Sequence, residues 1–93
     1  MIIKSMRLTM HIPWAKSLKD KRMVVKSAIA KVCDKFNVSI AEVEHQDVIQ
    51  TAVLAVVCVT GDTAQADSTL EHVLCFIENR SEAQITSVEY EFH

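Results

Sequence analysis

Lys16-Ser17-Leu18-Lys19-Asp20-Lys21-Arg22 gathers four cations and a hydroxyl into seven residues, and Lys26 follows one helical turn later. These are the side chains that hold phosphate. Ammonium and guanidinium groups donate charge-assisted hydrogen bonds, and a helix start adds backbone N–H groups with no partner inside the helix. Without an anion the arrangement is unfavourable, because cations in a first turn face the positive end of the helix dipole at a cost of about 0.3–1 kcal/mol each. Asp20 offsets only part of that. The competing reading is a solvated basic face that balances the rest of the chain. Seven of the ten Lys and Arg residues lie between Lys16 and Lys35, whereas from Phe36 to His93 Arg80 stands alone against ten acids.

A second place where chemistry could gather joins Trp14 to His45, Gln46 and Asp47. Trp14 is the one aromatic beside the basic run, suited either to stack on a base or to pack over a helix start. A His flanked by carboxylates can bind a metal or carry a proton. Glu44 and His45 nevertheless point to opposite faces of a strand, and His11, His72 and His93 are scattered. Gln46 and Asp47 are therefore expected to hydrogen-bond the connection they sit in. Cys33, Cys58 and Cys75 show no CxxC spacing and fall in apolar runs, so they are expected as small buried hydrophobes in a reduced compartment. A thiolate at such positions would be costly rather than activated. One glycine leaves no glycine-rich nucleotide loop. No catalytic residue, metal or cofactor is expected, and the chain reads as a non-enzyme.

The elements that position these residues follow from periodicity. Ninety-three residues with 49% hydrophobic and 24% charged side chains make one ordered domain over residues 1–93. The net charge of −2 attracts no polyanion globally, so steering falls to the local run. Neither a signal peptide nor a membrane segment is expected. From Ile3 to Ile12 the residues alternate, with Met6, Leu8, Met10 and Ile12 on one side, which predicts a half-buried strand ended by Pro13. Ser17 is placed to cap a helix from about Leu18 to Phe36, with Leu18, Val25, Ile29, Val32 and Phe36 along one stripe. Residues 38–45 and 51–59 predict two more strands, the latter apolar on both faces. Asp62 or Thr63 caps a second helix carrying Ala66, Leu70, Val73 and Ile77, a turn covers 79–82, and Ile85, Val88, Tyr90 and Phe92 mark a last strand with a bulge near Ser87.

Strand, helix, strand, strand, helix, strand is the order of an α+β, ferredoxin-like βαββαβ sandwich: a four-stranded antiparallel sheet with two helices on one face. The third strand is then central and apolar on both faces, with Ala52, Leu54 and Val56 on one and Val53, Ala55, Val57 and Val59 on the other, and the helices can cover only one of them. An exposed apolar patch marks a contact surface, so a homo-oligomer through the open sheet face is expected.

The segments HIPWAKSLKDKR (residues 11–22) and KSAIAKVCDKFNVSIAEVEHQD (residues 26–47), with the Gln50-Thr51-Ala52 entry to the third strand, resemble the bacterial YlxP-like family of unknown function. The resemblance covers essentially the whole chain. It implies a ferredoxin-like fold and a cytoplasmic protein, and family members are often encoded beside translation-initiation and ribosome-maturation factors. Trp14 departs from the family, where small residues are common in that loop. The expectation is a non-catalytic protein holding ribosomal RNA or the ribosome through Lys16, Ser17, Lys19, Lys21, Arg22 and Lys26, with no DNA or membrane partner. Phosphate and shape recognition suits it better than base readout, because the central strands carry no stacking aromatics. The alternative is an oligomeric protein-interaction or small-anion-sensing module.

Overall fold

Met6, Leu8, Met10 and Ile12 are all completely buried, so the alternation read from the sequence is the inner face of the first strand and its exit. The computed structural model describes residues 1–80 and 82–93. Its elements are β1 (Ile2–His11), α1 (Leu18–Lys35), β2 (Ser39–Glu44), β3 (Thr51–Thr60), α2 (Thr63–Arg80) and β4 (Gln84–Phe92). The strands form one antiparallel sheet in the order β2-β3-β1-β4. This is the ferredoxin-like arrangement. Of the turn expected over 79–82, Asn79 and Arg80 are helical and Ser81 lies outside the described residues.

α1 packs over β2 and β3, and α2 over β3 and β1. Between them they close a core of Leu54 and Val56 from β3, Val25 and Val32 from α1, and Leu70, Val73 and Ile77 from α2. β4 extends past the helices, which leaves Tyr90 and Phe92 about half exposed on the helix side of the sheet. Lys4 fills the gap there. Its ammonium bonds the Asp67 carboxylate and stands 4.7 and 4.8 Å from the ring centroids of Tyr90 and Phe92. The expected bulge is present: Thr9 pairs with Ser87 but Met10 with Ile85, so Thr86 is the extra residue.

The open face is less apolar than β3 alone implies. Ser5, Arg7 and Thr9 of β1 stand opposite Val57, Ala55 and Val53, so a polar column lies beside the apolar one. Arg7 and Glu44 close an ion pair at 3.4 Å that crosses β3, and Val53 is only 2% exposed. Val59, at 62%, is the large apolar side chain of that column left in water.

Cys58 is buried as expected, but Cys33 and Cys75 are exposed. Cys33 follows core Val32 by one residue and Cys75 follows core Val73 by two, and the helical turn rotates each out of the stripe.

Candidate nucleic-acid interface

Ser17 caps α1, its hydroxyl oxygen accepting from the Asp20 N–H at 3.1 Å, and the Asp20 carboxylate accepts from the Lys16 backbone N–H at 3.0 Å. Ser17 thus satisfies one of the unpaired N–H groups of the first turn, that of Asp20, while the Asp20 carboxylate reaches past the cap to the residue before it, a variant of the capping box. An acidic side chain already stands at this terminus, where an external phosphate would have to compete with it. What remains for an anion is the side chains.

Those side chains divide into three stripes around α1. Lys21, Val25 and Val32 face the core, and Lys21 is fully buried. The expectation that Lys21 contributes to an anion-binding surface is therefore corrected. Its ammonium donates to three carbonyls of the β2–β3 connection: His45 at 2.6 Å, Val48 at 2.7 Å and Thr51 at 3.0 Å. An ammonium has three protons, and these carbonyls take all of them. Glu42 Oε2 lies 3.0 Å away and balances the charge without receiving a hydrogen bond. His45 adopts a positive φ of 58°, which helps turn the connection so that its carbonyls converge on Lys21.

Lys19, Arg22 and Lys26 recur at three and four residues on a second stripe, with Lys16 just before it, and all four are exposed. Among the described residues no carboxylate lies within ion-pair distance of any of their side chains. Four unneutralised cations thus run along one flank over about two helical turns. A solvent-facing strip of this kind concentrates anions locally although the whole molecule is slightly acidic.

Residues 3–90 match the family described as Protein of unknown function (DUF503). The chain belongs to that family. A relative, Uncharacterized protein YlxP of Bacillus subtilis (strain 168), is 37% identical over 78 residues, covering 84% of this chain and 85% of the relative. The resemblance carried by residues 11–22 and 26–47 is thereby borne out.

In this DUF503 domain the second predicted cluster does not gather around one ligand. Gln46 donates through its side-chain amide to the Glu42 carbonyl at 3.2 Å, as expected of a residue that holds the connection. His45 contributes its backbone carbonyl, and Asp47 is exposed. Among the described residues no group of His, Cys, Asp and Glu could hold a metal ion. Gln50 ties the two loops together, donating to the carbonyls of Pro13 and Ala15 at 3.0 and 3.2 Å. The third stripe of α1 carries Val24, Ala28 and Lys31, and Trp14 of the preceding loop stands beside it. Together they line a cleft of about 300 Å³ between α1 and α2. Counting at 3.6 residues per turn, Val24, Ala28 and Lys31 lie roughly half a turn from the basic stripe, whereas Met23, which also lines the cleft, stands four residues after Lys19 and three before Lys26, at the edge of that stripe. No helix among the described residues is long and apolar enough to cross a membrane.

Proposed function

We propose that this DUF503 protein is a non-catalytic, cytoplasmic binder of structured ribosomal RNA, with phosphates held along the flank of Lys16, Lys19, Arg22 and Lys26. The observation that carries the reading is the exposure of these four cations with no carboxylate neutralising them. Phosphate contacts supply affinity and position without reading bases, which suits a flank without aromatic platforms. The genomic company of the family points to ribosomal RNA in particular. A small-anion sensor is the weaker alternative, because the Asp20 carboxylate stands at the helix end where a lone phosphate would dock.

The test is co-sedimentation with ribosomal subunits from lysate at low and high salt. Binding should appear at low salt and weaken at high salt, and Lys19→Glu with Arg22→Glu should reduce it by roughly tenfold or more while leaving thermal unfolding unchanged. Persistence of co-sedimentation in the double variant removes this reading. A homo-oligomer through the open sheet face is the second reading, supported by exposed Val59 beside half-buried Val57. Equilibrium sedimentation at micromolar concentration should then give a mass above that of one chain, whereas a monomer counts against it.

A further inference from the structure

Trp14 is 43% exposed and Met23 62%, two large apolar side chains left in water along the α1–α2 cleft. Its walls continue through Ala28 to Phe76. Beyond Phe76 a second hollow, lined by Phe36 and Cys75, adjoins the first across Phe76 and Arg80, and we read the two together as a groove along the helices. The groove is apolar along its length and cationic along its rim. Lys31 and Arg80 line the first part, Lys35 and Arg80 the second, and Glu82 is the acid among them. Among the described residues none of the three cations has a carboxylate within ion-pair distance.

We propose that this groove docks an acidic protein segment, whose apolar side chains seat against Trp14, Met23 and Ala28 and whose carboxylates meet Lys31, Lys35 and Arg80. Charge complementarity selects the occupant: an apolar floor under three unneutralised cations matches an amphipathic segment whose polar face is acidic. An exposed methionine offers an adaptable contact of the sort used at peptide-binding surfaces. A nucleobase fits less well. The Phe76 ring already meets Arg80 at 4.8 Å and Lys35 at 4.9 Å, and Phe36 packs against it edge-on at 5.5 Å. That leaves Trp14 as the ring of the groove open to stacking, since Phe36 and Phe76 are engaged with each other and with the cations. The groove meets the basic stripe only at Met23, and the cations it uses, Lys31, Lys35 and Arg80, are none of those assigned to RNA, so this proposal stands independently of the RNA reading.

The experiment is selection of a phage-displayed random peptide library on the full chain, followed by titration of the enriched peptides while recording amide, indole and methyl NMR shifts. Enriched peptides should be acidic with apolar residues three or four apart, and should shift Trp14 and Met23 saturably. Lys31→Glu should weaken them at least tenfold, and Ala28→Glu, which places a carboxylate on the floor, should do the same. Amide spectra of both variants show that each remains folded. Enrichment of neutral or basic peptides, or equal binding to Lys31→Glu, overturns the proposal. So do shifts of Trp14 and Met23 caused by oligouridylate in place of the peptides, or by raising the concentration of the protein alone, which would assign the groove to RNA or to a second copy.

Discussion

Lys21→Met is expected to lower the unfolding free energy by about 3–5 kcal/mol, the range for breaking a buried ion pair from one side. For a domain of this size that corresponds to a fall in Tm of roughly 12–40 °C, enough to unfold a marginal protein near room temperature. The magnitude comes from what the ammonium leaves behind. Methionine fills similar space, but the carbonyls of His45, Val48 and Thr51 lose their shared donor and Glu42 loses its counter-charge. Lys21→Arg should not rescue, because a planar guanidinium does not match three carbonyls converging on one nitrogen. Adding Glu42→Met should recover part of the loss, since it removes the unpaired charge yet leaves the carbonyls unsatisfied. Urea unfolding of both single variants and the double variant gives the coupling directly. Lys19→Met, two residues away and exposed, should stay within about 0.5 kcal/mol. If Lys21→Met behaves like Lys19→Met, the buried ammonium is not what holds the β2–β3 connection.

This contrast also shows what a sequence can reveal. The strands and helices were legible because apolar residues at periods of two and 3.6 have to share a buried face, and Met6, Leu8 and Met10 or Leu70, Val73 and Ile77 do so. Ser17 was legible as a cap because its chemistry is local, satisfied by a residue three positions on. Lys21 was not, although its position three after Leu18 and four before Val25 lies on the apolar stripe. A lysine on a stripe is read as exposed unless the acceptors are known, and these come from 24 to 30 residues further along the chain. Cys33 and Cys75 misled in the opposite direction, because a thiol in an apolar run reads as buried. Their angular offset from Val32 and Val73 was available and decides the matter. The cleft beside Trp14 depends on how two helices splay over a sheet, which periodicity within either helix does not encode.

Association of the intact protein with structured RNA should fall steeply with salt, at a log–log slope of about −2.8 to −3.6. That range is four phosphate contacts multiplied by about −0.7 for single strands or −0.9 for duplex. Between 50 and 200 mM salt the affinity should drop by roughly 50- to 150-fold. The slope counts contacts, so it tests the assignment residue by residue. Lys19→Gln, Arg22→Gln and Lys26→Gln should each flatten it by about one, uniformly across RNA sequences. Lys31→Gln should leave it unchanged, because Lys31 lines the cleft on the opposite flank of α1. Lys21 should add nothing, since its three protons are committed inside the fold. A slope near twice the expected value, reduced by Lys31→Gln, would mean that RNA wraps both flanks and that the groove cations are phosphate ligands as well. Fluorescence anisotropy over a salt series, with each variant at matched pH, distinguishes a one-flank strip from a wrapped helix.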